Sequence, residues 1–245
     1  MPLAPAEYLP HLRHLVGEFE RVVRTGDADA PVPSCGDWRL RDLAIHLGNV
    51  HLWATKIIVT GEPQPQEFDS DPGGELADWY GNAARGLLEA LGDADPAAPG
   101  WHFGQGEKVK GFWFRRQTQE VAVHLFDAAN AVGEQLDLPP VIAADGIDEV
   151  LTTMLPRVTR WHTPPPLTTA LSLRATDTGD SWFLAAVEAG EVPAVTEADG
   201  EPGSIAQGTA QDLLLLLWQR YSIESVELSG DAAAATAFLT SRMTP

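Results

Sequence analysis

Apolar positions in the first half of the chain recur with helical period. Over residues 5–23, Tyr8, Leu9, Leu12, Leu15, Val16 and Phe19 fall on one face, which predicts an amphipathic helix. Thr25-Gly-Asp-Ala-Asp-Ala-Pro-Val-Pro33 reads as a loop. A second helix is expected after Gly36-Asp37, with Asp37 as its N-cap, carrying Leu40, Leu43, Ala44, Leu47, Val50 and Ala54. It should stop near Gly61-Glu-Pro63. A third spans residues 75–91, with Leu76, Trp79, Ala83, Leu87, Leu88 and Leu91 facing inward. Residues 93–106 are rich in Pro, Gly and Ala and form a loop, and a fourth helix covers 112–131, ending at Val132-Gly133. Four amphipathic helices with connecting loops predict a bundle.

The pattern changes at Pro139-Pro140. One more helix is expected over 141–155, and Thr163-Pro-Pro-Pro166 makes a stiff turn. Segments of β character follow at 171–175, 181–187 and 192–196, then a loop at 197–203. Gly208-Thr-Ala-Gln-Asp212 opens an apolar helix over 213–220. Val226-Glu-Leu-Ser-Gly230 reads as a short strand, and 231–242 as a last helix with Asp231 as its cap. The expected class is therefore α+β in two domains: a four-helix bundle over 1–138 and a smaller α/β domain over 139–245. No internal repeat is visible.

Composition narrows the partners. Of 245 residues, 44% are hydrophobic and 21% charged, as in a globular domain with a sizeable core. No apolar run reaches the ~18 residues needed to span a bilayer. The segment Met1-Pro-Leu-Ala-Pro-Ala-Glu-Tyr8 lacks a basic region followed by an apolar run, so no leader is expected. Cys35 is the single cysteine, which excludes an intrachain disulfide and suits a reducing, cytoplasmic home. Asp and Glu total 35 against 16 Lys and Arg, a formal charge of −19. Such a chain repels phosphate backbones and anionic lipids, which argues against nucleic-acid and membrane-surface partners.

The candidate chemistry lies on two of the predicted helices. Glu120 and His124 are four residues apart, so they lie one above the other on one helix face. His46, on the second helix, is a candidate third ligand. Two histidines and one carboxylate, with a coordination position left open, are the ligand set of a catalytic divalent metal. Taken singly, His46 reads as an ordinary packed histidine, and Glu120 with His124 as a surface i,i+4 pair. Against the latter, Val121, Ala122, Val123, Leu125, Phe126 and Ala128 surround the pair, and a Glu among such residues is costly to bury unpaired. Asp127, three after His124, and Asp42, four before His46, are candidates to orient an imidazole or simply to sit on a helix surface.

Other chemistry-bearing residues lack the spacing. His51 is five after His46, about 140° around a helix, and cannot share its metal. Cys35 precedes a helix with no base placed beside it and reads as a small buried residue. His102 and His162 sit in loops beside Trp101 and Trp161. No glycine-rich phosphate loop, Gly-x-Ser-x-Gly or paired cysteine motif occurs.

Several stretches resemble one family. Cys35-Gly-Asp-Trp38, Asp42-Leu-Ala-Ile-His-Leu-Gly48 and Trp53-Ala54 are similar to the second-helix signature of the mycothiol-dependent maleylpyruvate isomerase family, within the DinB-like superfamily. Arg115-Arg-Gln-Thr-Gln-Glu-Val-Ala-Val-His-Leu-Phe-Asp-Ala128 resembles its last bundle helix. Asp145-Gly-Ile-Asp-Glu-Val-Leu151, Gly208-Thr-Ala-Gln-Asp-Leu-Leu-Leu-Leu-Leu-Trp218 and Leu228-Ser-Gly-Asp231 resemble its C-terminal domain.

The resemblance implies a DinB-like four-helix bundle followed by a smaller α/β domain similar to sterol carrier proteins. It implies zinc held by His46, Glu120 and His124, with mycothiol, the low-molecular-weight thiol of actinobacteria, as co-substrate. The reaction it implies is a cis–trans isomerisation of maleylpyruvate type, or transfer of the thiol to a small electrophile. An anionic substrate needs cations, and Arg220 matches a position where the family usually has Arg. Its other reading is an Arg favoured by a helix C-terminus. Arg85 on the third helix is a second candidate, or part of a solvated face. Lys108 and Lys110 have no counterpart in the family pattern, and contacts from their loop bear on whether maleylpyruvate itself is the substrate. The competing expectation is a DinB-like small-molecule-binding or stress-response protein without thiol-dependent catalysis.

Overall fold

The computed structural model describes residues 2–69, 72–196 and 200–245. The chain divides into two compact units, Leu3–Leu136 and Asp137–Pro245, the second with Pro2. The class is α+β, helices followed by helices around a mixed sheet.

Among the described residues, the first unit holds four long helices: α1 (Pro5–Thr25), α2 (Leu40–Thr60), α3 (Leu76–Asp93) and α4 (Gly111–Ala131). Their periodic apolar residues form the core, with Tyr8, Leu12, Phe19, Leu43, Leu47, Ile57, Tyr80, Leu87 and Trp113 all buried. Burying each such side chain stabilises the fold by about 1.5–3 kcal/mol before entropic costs. Around the bundle, α1 packs on α4 and α3, and α2 packs on α3 and α4. The α2–α4 groove and the α1–α3 groove therefore lie on opposite sides.

The start of α2 differs from expectation. Asp37 is not its cap; the cap residue is Arg39. Residues 31–39 are drawn into a loop of their own, in which Pro31 bridges Arg39 and the Val32 N–H donates to the Trp38 carbonyl at 2.9 Å. The first free turn therefore begins at Leu40, and Asp42 accepts the Arg39 N–H at 2.8 Å. At the other end Gly61, at φ +75°, takes the left-handed conformation that closes the helix.

In the second unit, α5 (Pro140–Glu149) runs through a π turn, Val150–Met154, into α6 (Leu155–Val158). Pro156 explains the widened turn. It has no N–H and its ring crowds the carbonyl four residues back, so the helix opens, and Leu155 N–H reaches the Val150 carbonyl. The sheet comprises β1 (Leu171–Ala175), β2 (Ser181–Leu184), β3 (Val195–Thr196), β4 (Ser204–Gly208) and β5 (Glu227–Gly230), in the order β3-β2-β1-β4-β5. Among the described residues, only β1 and β4 pair in parallel. The helices α7 (Ala210–Leu217) and α8 (Ala232–Leu239) pack on it.

Several boundaries shift. The expected strand 181–187 stops at Leu184, and Val187 makes only an isolated bridge to Leu167. The expected strand 192–196 shrinks to two residues, since Pro193 offers no ladder donor. Helix α7 starts earlier, capped by Thr209, whose hydroxyl accepts the Asp212 N–H at 3.1 Å. It ends before Arg220, because Gln219 turns left-handed at φ 57°. Asp231 caps α8 as expected, accepting the Ala234 N–H at 3.0 Å. Of the expected loop 197–203, residues 197–199 lie outside the described residues. Among the described residues no helix is long and apolar enough to cross a membrane.

Candidate metal centre

Helices α2 and α4 face each other across their groove, and the candidate ligands point into it. His46 Nε2 lies 3.6 Å from Glu120 Oε1, and His124 Nε2 lies 3.6 Å from the same oxygen. All three ligand atoms fall within 4.8 Å of one another. A separation of 3.6 Å is too long for an N–H···O hydrogen bond. It is close to the spacing of about 3.4 Å that three ligands on one tetrahedral zinc would show, each ~2.1 Å from the ion. The side chains of His46, Glu120 and His124 are 27%, 19% and 12% exposed, so a further ligand can reach them from solvent.

The surroundings hold these groups in place. Glu120 divides its carboxylate: Oε1 faces the two imidazoles, while Oε2 accepts from Arg116 Nη2 at 3.0 Å. Arg116 is itself buried. Burial alone would raise the Glu120 carboxyl, but the facing imidazoles of His124 and His46 and the Arg116 charge outweigh it. The group is held well below the ordinary carboxylate range and stays ionised.

Behind His124 lies Asp127, fully buried. His124 Nδ1 is 3.0 Å from Asp127 Oδ2. A carboxylate only accepts, so Nδ1 carries the proton and Nε2 faces the groove. Asp127 is anchored from the loop before α2: the Ser34 hydroxyl donates to Oδ1 at 2.5 Å and the Cys35 thiol to Oδ2 at 3.6 Å. Cys35, His124 and Asp127 thus form a second cluster of ligand types sharing His124. Burial lowers the His124 imidazole, but the Asp127 and Glu120 carboxylates overcome it and lift it to about 9.

Other candidates fall elsewhere. Asp42 turns its carboxylate to the start of α2, where it accepts the Arg39 N–H. His51 is buried in the bundle core, where Nδ1–H donates to Gln117 Oε1 at 2.9 Å and Nε2 accepts from the Tyr80 hydroxyl at 3.3 Å. Burial pushes it down to about 4 despite the Gln117 contact. His102 stacks on Phe112 with ring centroids 4.2 Å apart. Lys108 Nζ folds back onto the Gly104 carbonyl of its own loop. Arg85 is not gathered with the triad: α3 turns that face toward α1, and Arg85 donates to Asn82 in a groove of about 1070 Å³ shared with Arg13, Glu20 and Asp78. Arg220 lies in the second unit, donating to the Trp218 carbonyl at 2.9 Å with its guanidinium over the Trp218 ring.

Sequence reasoning missed Arg116, Ser34 and Phe68, whose ring lies edge-on to the His46 imidazole at 6.0 Å. Arg116 carried a usable signal, four residues before Glu120. Ser34 and Phe68 sit in loops with no period to mark them.

Two family models match the chain. One, described as the mycothiol maleylpyruvate isomerase N-terminal domain, covers residues 9–129. The other, the C-terminal domain of the same family, covers 142–237. The chain belongs to the mycothiol-dependent maleylpyruvate isomerase family. It is thereby a member of an enzyme family, and its two matched regions account for most of its length. A crystal structure of the mycothiol-dependent maleylpyruvate isomerase aligns with a TM-score of 0.64 at 14% identity, covering 93% of each chain. A histidine-to-alanine variant of that isomerase aligns at 0.63, with the same identity and coverage. These likenesses are of fold. No curated protein matches the sequence.

Proposed function

We propose that this chain is a zinc-dependent enzyme that uses mycothiol, either isomerising a cis-unsaturated maleyl compound or transferring the thiol to a small electrophile. The observation that carries the reading is the convergence of His46 Nε2, Glu120 Oε1 and His124 Nε2 in one partly exposed groove. The donor set and its spacing fit zinc. Bound there, zinc would supply a thiol sulfur deprotonated at neutral pH.

The chain's own residues do the rest. Glu120 brings a carboxylate kept ionised by Arg116, and Asp127, by holding Nδ1, turns His124 Nε2 to the groove, where it would ligate once its proton is displaced by the metal. In the isomerisation, the mycothiol sulfur bonds to one alkene carbon, and the π pair moves to the conjugated carbonyl oxygen as an enolate. Rotation follows about the new single bond. Return of the electrons breaks the C–S bond and releases the trans product with the thiolate. In the transfer reaction the enolate takes a proton and the adduct leaves. Arg220 is our proposed partner for a substrate carboxylate, on the strength of its match to the family pattern. No role is proposed for Arg85, which lines the groove with Arg13, Glu20 and Asp78. A thiol co-substrate and a single cysteine fit the cytoplasm.

The test is turnover of maleylpyruvate and of a model electrophile by the full chain, with and without mycothiol, before and after zinc chelation. Turnover that needs both thiol and zinc supports the reading. Turnover of a zinc-loaded protein that ignores the thiol would overturn it.

A further inference from the structure

The groove holding the triad has an aromatic rim that the ligand chemistry does not require. Two rings from two different loops meet at His46. Trp38, from the loop before α2, lies 5.0 Å from the imidazole centroid, and Phe68, from the segment after α2, lies edge-on at 6.0 Å. Phe68 is 39% exposed, so part of its ring has no protein neighbour.

An exposed Phe on a loop would ordinarily fold away from water or drift. Here the loop is fastened so that it does neither. The buried Asn49 side chain, three residues after His46, accepts the Asp69 N–H at 3.0 Å and donates to the Asp69 carbonyl at 2.8 Å. Its amide therefore pairs with the residue next to Phe68 through both backbone groups. Farther along, the Trp53 indole N–H donates to the Gln64 carbonyl at 2.9 Å. Helix α2 thus carries His46 and also the two side chains that hold Phe68 beside it. Trp38 is fixed by its own loop, its carbonyl accepting the Val32 N–H at 2.9 Å.

The charges nearby do not compete for this rim. Arg116 is buried against Glu120, and Glu120 and Asp127 are carboxylates in a chain of net charge −19. The rim is where an uncharged, planar group gains contact through offset or edge-to-face packing.

We propose that Trp38 and Phe68 form a substrate wall that selects electrophiles carrying a planar, uncharged aryl or conjugated portion, with Asn49 as the residue that positions it. The inference rests on the thiol-enzyme reading for its chemistry, but binding at the wall does not.

Two measurements on the zinc-loaded full chain separate the claims. Calorimetry follows binding of 1,3-dinitrobenzene, a planar arene that does not react, against nitrocyclohexane, a puckered control. Phe68→Ala and Trp38→Leu should each weaken dinitrobenzene binding about fivefold or more, leave nitrocyclohexane unchanged and retain zinc. The second measurement is mycothiol-dependent kcat/KM for 1-chloro-2,4-dinitrobenzene, where a C–S bond replaces C–Cl and chloride leaves, against iodoacetamide, where iodide leaves. Phe68→Ala should lower the ratio of the two about tenfold.

Absent or Phe68-independent dinitrobenzene binding overturns the wall, as does an unchanged ratio. Phe68-dependent binding without turnover of either electrophile supports the wall and removes the thiol-transfer branch of the proposed function, leaving the isomerisation to its own test with maleylpyruvate.

Discussion

Asp127 Oδ2 sits 3.0 Å from His124 Nδ1, and the carboxylate is wholly buried. This contact sets which nitrogen of His124 faces Glu120 and His46. It also links the helix bearing two ligands to the loop before α2, through Ser34 at 2.5 Å. Removing such an orienting acceptor from a ligating histidine typically costs 10–100-fold in metal affinity. Asp127→Asn should therefore weaken zinc binding by about that factor, read by competition with a chelator. Ser34→Ala, acting one step farther away, should weaken it by only several-fold. Equal affinity in Asp127→Asn and the parent would show that the contact does not orient a ligand.

His51 predicts how the bundle responds to acid. Its imidazole is held neutral at about 4 against an ordinary 6.5. In that window the unfolded chain binds the proton and the folded chain does not, so stability falls as pH falls. The contribution is complete above pH 6.5 and lost by pH 4, amounting to about 3 kcal/mol. Urea unfolding at pH 7, 6 and 5 should show this decline, with a shallower slope in His51→Asn. The same slope in both proteins would show that His51 does not govern the decline.

Gly48, two residues after His46, is a point of close helix approach. A Cβ there would overlap the Trp79 ring of α3. Alanine gains about 1 kcal/mol of helix propensity, but forcing the ring aside costs roughly 1–3 kcal/mol. Gly48→Ala should thus lower stability by about 1 kcal/mol and quench or shift Trp79 fluorescence. A more stable protein with unaltered fluorescence would show that the helices do not press together at this point.

The helical half was legible because its apolar residues keep strict period over four long segments, and α1 to α4 lie where that period places them, within a few residues. The triad was legible for the same reason, since helix geometry converts the spacing of Glu120 and His124 into a shared direction. What escaped depends on contacts distant in sequence. Strand β4, Ser-Ile-Ala-Gln-Gly, has one β-branched residue and becomes a strand only because β1 and β5 pair with it on both sides. Arg39 replaces Asp37 as the α2 cap because the Pro31–Arg39 bridge takes up the residues between. Phe68 and Ser34 reach the site by loop paths that no period encodes.

The central claim is that His46, Glu120 and His124 hold one zinc ion. Elemental analysis of purified parent protein and His124→Ala tests it most directly. The account predicts about one zinc per chain in the parent and a near-complete loss in the variant, with the bundle still folded. Equal zinc in the two proteins, or none in the zinc-supplemented parent, would contradict it.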